Sequence, residues 1–134
     1  MPDGNTEFVV DASYILTYLL PDEKDDSARK IILQYQNKKI SLCSSGILTY
    51  EVGNALVIAI RRNRISSQIG QNLLRGFVRL NIEEKVVLHD HCLSYAQQTN
   101  LTYYDASYAL LAQDLHIPLL TWDKKLDRIS KNNT

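Results

Sequence analysis

Four acids in this chain stand where carboxylates do chemistry: Asp11, Glu51, Asp105 and Asp123. Asp11 directly follows the apolar run Phe8-Val9-Val10, and Asp123 comes two residues after Pro118–Thr121. Both runs read as strands, and ligands in an open parallel sheet bind beyond the carboxyl ends of its strands. An Asp in either place is equally a good N-cap for a following helix. Glu51 and Asp105 fall instead within helical patterns. The helical neighbours of Glu51 are Ile47, Leu48, Asn54 and Ala55; those of Asp105 are Leu101, Thr102, Tyr108 and Ala109. Each acid thus lies on or beside an apolar face, with no Arg or Lys among its helical neighbours. A buried ion pair with a more distant base is the structural alternative. Failing that, an inward carboxylate needs a proton or a metal ion.

Four carboxylates sharing one point repel, and each raises the pKa of the others. A divalent cation relieves this. Mg²⁺ and Mn²⁺ take carboxylate oxygens and keep waters that phosphate oxygens can replace, and such a site can activate a water for attack on phosphorus. Zinc fits less well. His89 and His91 flank Asp90, His116 stands by itself, and no His or Cys pair has zinc-ligand spacing.

The elements that must carry these acids alternate short apolar runs with helical patterns, the signature of βαβ units around a parallel sheet. Strands are expected at Phe8–Val10, Ile40–Cys43, Lys85–Leu88 and Pro118–Thr121. A short helix over Ser13–Leu20 ends at Pro21. Asp25 or Asp26 caps a second, to about Gln36. Ser44 or Ser45 caps the longest, to about Arg62, and Ser66 or Ser67 another, to about Leu80. Asp90 caps a helix to Gln98, Thr102 one to Leu115, and a last turn or two covers Asp123–Ile129. The expected fold is α/β: one domain over residues 1–134, ordered over 7–129, with loose ends at 1–6 and 130–134.

Composition agrees. A chain of 134 residues, 45% hydrophobic and 22% charged, supports a real core. Its formal charge of zero excludes a strongly basic nucleic-acid binder but not a locally basic surface. Cys43 and Cys92 have no close spacing and read as unpaired thiols of a reducing compartment. The acidic start Met1-Pro2-Asp3-Gly4-Asn5-Thr6-Glu7 is unlike a signal peptide, and no apolar run approaches ~20 residues. A soluble, cytoplasmic protein without membrane contact is expected.

The motifs around the acids resemble those of a known family. Phe8-Val9-Val10-Asp11-Ala12-Ser13, Thr49-Tyr50-Glu51-Val52-Gly53-Asn54-Ala55-Leu56, Tyr104-Asp105-Ala106-Ser107-Tyr108-Ala109-Leu110-Leu111-Ala112 and Leu120-Thr121-Trp122-Asp123-Lys124-Lys125-Leu126 are similar, in order, to the four motifs of the PIN-domain nucleases. The resemblance spans residues 7 to 127 and is to the toxin branch, the VapC-type ribonucleases of toxin–antitoxin pairs. It implies a PIN-like domain with a parallel sheet of four or five strands flanked by helices. It further implies an endoribonuclease in which Asp11, Glu51, Asp105 and Asp123 are catalytic and hold one or two Mg²⁺ or Mn²⁺ ions. Ser13, Thr121 and Asn54 match supporting positions, although Ser13 and Thr121 equally suit local backbone bonds. Asp127 either shares the site or is a solvated helix residue. Members commonly carry a fifth strand after the last acid, whereas here Ser130-Lys131-Asn132-Asn133-Thr134 follows.

An RNA substrate requires cations. Lys124 and Lys125 beside Asp123 are candidates, as are Arg61 and Arg62, which equally suit a helix C-terminus. The resemblance implies an RNA substrate, a homodimer and an antitoxin, VapB-like, lying over the acidic groove. Surplus apolar residues such as Val57, Ile58 and Ile60 suit a partner surface or burial equally. The alternatives are a PIN nuclease outside a toxin pair, a non-catalytic module of the same fold, and a phosphoacceptor receiver. The receiver needs a pair of acids after the first strand, where Asp11 stands alone.

Overall fold

Val9 and Val10 have no exposed surface, and the strand containing them is the middle of the sheet around which everything else is arranged. In the computed structural model, which describes residues 6–23 and 25–132, that strand is β1 (Thr6–Val10). The chain continues through α1 (Ala12–Leu19), α2 (Asp26–Gln36), β2 (Ile40–Ser45), α3 (Leu48–Arg61) and α4 (Ser67–Leu80). It ends through β3 (Glu83–Lys85), α5 (His89–Thr99), α6 (Tyr103–Leu115), β4 (Leu119–Leu120) and α7 (Lys124–Asn132). The sheet order is β3-β2-β1-β4 and every pairing is parallel. Crossovers therefore run from β1 outward to β2 and β3, and then back across to the far side of β1. The reversal falls between β1 and β4, where an open α/β sheet forms its ligand crevice.

Local chemistry sets most helix starts. Asp25, Ser66 and Thr102 cap α2, α4 and α6 as their sequence contexts predict, each side chain accepting from backbone N–H groups of the first turn. Helix α3 differs. Ser44 and Ser45 are not its caps but the end of β2, which runs two residues longer than expected. Ile47 precedes the helix without a side-chain cap. The third strand also differs, because the residues that pair with β2 are Glu83–Lys85, not the apolar Val86-Val87-Leu88. Nor does Asp90 cap α5, which begins at His89 after Leu88.

Among the described residues there are four strands, and after the last acid the chain enters α7 in place of a fifth. Thr6 belongs to β1 and Ser130–Asn132 to α7, while the rest of the expected loose ends lies outside the described residues.

Helix α6 is the centre of the core. Its residues Ala106–Ala112 are buried all round, and it packs on β1, β2, β4, α5 and α7. A helix so enclosed needs no amphipathic stripe. Cys43 and Cys92 are buried free thiols, and burial pushes Cys43 up to about 11. On the surface, the Arg64 guanidinium spans Asp22 at 2.8 Å and Glu23 at 2.6 Å, tying the α3–α4 loop to the α1–α2 loop. No helix among the described residues is long and apolar enough to cross a membrane.

Candidate active site

The carboxyl ends of β1 and β4 bring Asp11 and Thr121 together. Asp11 is only 4% exposed, and its carboxylate accepts three hydrogen bonds, leaving lone-pair capacity on Oδ2. Oδ1 accepts from the Ser13 hydroxyl at 2.7 Å and from the Tyr14 N–H at 3.0 Å, while Oδ2 accepts from the Thr121 hydroxyl. Ser13 Oγ in turn accepts from the Trp122 N–H, and Thr121 Oγ1 from the Asp123 N–H, both at 3.0 Å. The two readings of these hydroxyls thus hold at once: each satisfies backbone and each donates to the acid. Asp11 likewise is both the α1 N-cap and a member of the acidic group.

Glu51 lies in the first turn of α3, half-buried, and its Oε1 accepts from the Tyr108 hydroxyl at 2.6 Å. Asp105 occupies the first turn of α6, directly after its cap, Thr102. Exposed Asp123 caps α7, with Oδ1 accepting from the Leu126 N–H at 3.0 Å.

The acids feel one another. Burial raises the pKa of Asp11, Glu51 and Asp105, and like charge adds to it in each case. The charge of Asp105 raises both Asp11 and Glu51, Asp11 raises Glu51, and Asp123 raises Asp105. Asp105 is therefore the hub of the group. Among the described residues no ion pair joins any of the four to Arg or Lys. Lys125 offsets Asp105 partly, while its Nζ donates to the Asn100 carbonyl at 2.7 Å.

Such a set of oxygen donors suits a hard divalent cation. Among the described residues no three His, Cys, Asp or Glu side chains close on one point tightly enough to hold an ion by themselves. Mg²⁺ does not require that, since it is commonly bound through one or two carboxylates and several waters. The donor set and its uncompensated charge fit the ion.

The remaining candidates divide. Asn54 is exposed one turn beyond Glu51, and no hydrogen bond among the described residues ties it to the acids. Lys124 is exposed at the start of α7 beside Asp123. Arg61 and Arg62 end α3, about 15 Å along the axis from Glu51. Asp127 is turned to Lys131, one turn on at 3.1 Å. One residue of the site went unread in the sequence: Tyr108, almost wholly buried, orients Glu51. Its only signal was its place one turn after Asp105 on the apolar face.

Comparison with known proteins gives a consistent result. The family model for the PIN domain matches residues 8–132. Ribonuclease VapC3 of Pyrobaculum aerophilum is 29% identical over 124 residues, covering 90% of this chain and 92% of that protein. Ribonuclease VapC1 of Mycobacterium tuberculosis is 32% identical, covering 90% and 88%. The crystal structure of PAE2754 from Pyrobaculum aerophilum superposes with a TM-score of 0.68 at 29% identity, over 90% of this chain and 77% of that one.

Proposed function

This chain belongs to the PIN-domain family, and from that membership we propose that it is a Mg²⁺- or Mn²⁺-dependent endoribonuclease, the toxin of a type II toxin–antitoxin pair. The observation that carries the reading is Asp11. A nearly buried carboxylate held by two hydroxyls, beside like-charged Glu51 and Asp105 and with no basic partner, is costly to keep for structure alone.

In this reading Asp11, Glu51, Asp105 and Asp123 would hold the ion, which would supply Lewis-acid stabilisation of the phosphate and make water a better nucleophile. Ser13 and Thr121 fix the rotamer of Asp11, and Tyr108 fixes that of Glu51, so that the oxygens are oriented before substrate arrives. In the same reading Lys124 and Lys125, beside Asp123, contact substrate phosphates, Lys125 giving up the Asn100 carbonyl, and Arg61 and Arg62 serve a more distant part of the strand. The site of action is the cytoplasm, the active form is a homodimer, and a VapB-like antitoxin covers the acidic groove.

The test is RNA cleavage with and without divalent ion, on the parent and on Asp11→Asn and Asp105→Asn. Loss of cleavage in both variants is expected; cleavage at the parent's rate in both sinks the assignment of the acids. A second relative from Pyrobaculum aerophilum, 30% identical, bears the name Exonuclease VapC9. A circular RNA separates the two modes, because only an endonuclease linearises it.

A further inference from the structure

The chain has eight tyrosines, two phenylalanines and one tryptophan. Three of these side chains stand exposed: Tyr50 at 77%, Tyr104 at 56% and Trp122 at 45%. Each immediately precedes an acid of the site, namely Glu51, Asp105 and Asp123. Aromatic surface left in water forgoes the stabilisation that its burial would give. Here that surface is confined to the residues that precede the acids in sequence.

Trp122 is already committed on one face, with its ring stacked on Tyr14 at 5.4 Å and its Nε1 donating to Thr17 Oγ1 at 3.0 Å. Tyr104 is different, because it lines a pocket of about 310 Å³ between the end of β2, the β3–α5 loop and the start of α6. Two buried hydroxyls line it as well: Ser45 Oγ lies 2.9 Å from Ser107 Oγ, and Ser107 donates to the Tyr104 carbonyl at 2.6 Å. With the Ser107 proton so used, Ser45 is the donor to Ser107. Also lining it are His89 and Tyr103, whose rings stack at 6.0 Å and 17° and are joined by a 2.6 Å Nδ1···OH bond. Asp105 falls between Tyr104 and Ser107 in the same two turns of helix.

The volume corresponds to about ten waters of liquid, enough for one planar heterocycle and far too small for a helix of RNA. None of the four acids lines the pocket, and its link to them is α6, which carries Tyr104 and Ser107 on the pocket and Asp105 between them in sequence. Aromatic walls and a small polar floor are the features by which proteins take up an unstacked base. The geometry points to a nucleobase subsite: Tyr104 stacks on a base of single-stranded RNA next to the scissile phosphate, and the pocket receives that base. This rests on the nuclease reading above and narrows its substrate class, since a base held in an A-form duplex cannot enter. Exposed Val86 and Leu88, at 84% and 63%, lie in the same β3–α5 loop and leave a second copy of the chain as the competing occupant.

The experiment uses the metal-free protein and a fluorescein-labelled single-stranded RNA of mixed sequence, read by anisotropy, for parent, Tyr104→Ala and Tyr104→Phe. Loss of one base stack is expected to weaken binding roughly 5- to 100-fold in Tyr104→Ala. Tyr104→Phe is expected to stay within about twofold of the parent, since Phe keeps the ring. The same RNA annealed to its complement is expected to bind more weakly than the single strand. With Mg²⁺ present, the loss in Tyr104→Ala falls on KM more than on kcat. Parent-like binding by Tyr104→Ala overturns the subsite, as does duplex binding equal to single-strand binding. So does a dimeric parent that becomes monomeric on Tyr104→Ala by light scattering, which would make the pocket a protomer contact. If the parent cuts no RNA in any divalent ion, the nuclease reading fails. Tyr104-dependent binding of the single strand would still support the subsite.

Discussion

The hydroxyl of Tyr108 donates to Glu51 Oε1 at 2.6 Å, joining α6 to α3 across 57 positions of sequence. Tyr108 is almost wholly buried. One phenol thus ties the helix that carries Asp105 to the helix that carries Glu51. Burial together with the charge of Glu51 drives its pKa far above the ordinary value, so it remains a donor at any working pH.

Tyr108→Phe removes the donor to Glu51. Its loss is expected to lower divalent-ion affinity about 10- to 100-fold. A metal titration of RNA cleavage checks this: the activity curve moves to higher Mg²⁺ and recovers much of its plateau. An unmoved midpoint would show that Glu51 needs no such orientation.

Thr121→Val tests the other anchor. The hydroxyl donates to Asp11 Oδ2 and accepts from the Asp123 N–H, so its loss frees one acid and unseats the loop of another. The expected outcome is a smaller thermal shift on adding Mn²⁺, by differential scanning fluorimetry. Thr121→Ser, which retains the hydroxyl, is expected to restore most of it.

Glu51→Gln tests the cost of the acidic group. Ionised Glu51 is disfavoured by burial first and then by Asp105 and Asp11, while Gln keeps an acceptor for Tyr108. In metal-free buffer the variant is expected to melt about 2–4 °C above the parent, a modest gain because the residue is only half-buried. Divalent ion should raise the parent's Tm and leave the variant's nearly unchanged. A variant that melts lower without metal would contradict the repulsion.

Acid sensitivity should register the Arg64 clamp. The hydrogen bond from Arg64 lowers the pKa of Asp22 below its ordinary 3.8. A carboxyl that holds its proton less tightly folded than unfolded stabilises the fold fully above the unfolded value. It loses that stabilisation as pH falls through the lower folded value. The Tm of Asp22→Asn is therefore expected to lie below the parent's at pH 7, with the gap closing below about pH 4. A gap that persists at pH 2 would place the effect elsewhere.

Features encoded by neighbouring residues were legible in the sequence. Asp25, Ser66 and Thr102 announce their helices because a cap bonds within its own turn. Asp11 and Asp123 stand out because each follows an apolar run. The misplaced third strand shows where this stops. Val86-Val87-Leu88 is the more strand-like text, but register with Cys43–Ser45 selects the polar Glu83–Lys85, and that choice is made by a partner forty residues away. Ser44 and Ser45 misled for the same reason. Their hydroxyls serve Val10 and Ser107, and Ser45 reaches only the Ile47 N–H ahead of α3, not its first turn. The pairing of Tyr108 with Glu51 leaves no local trace either. Glu51 stands out in the sequence as an acid on an apolar face, but nothing marks Tyr108 as its partner until α3 and α6 are brought together.

The bond from Thr121 to Asp11 has a consequence in time. Asp11 is made well before its partner: its second oxygen is met only after 110 more residues have been added. β4, which sets Thr121 beside β1, and the cap at Asp123 are built just as late. A polypeptide still emerging from the ribosome thus carries two or three of the acids without the frame that aims them. On the proposed nuclease reading, competence to cut is expected to arise late, when β4 docks on β1, and a chain interrupted before residue 119 is expected to be inactive.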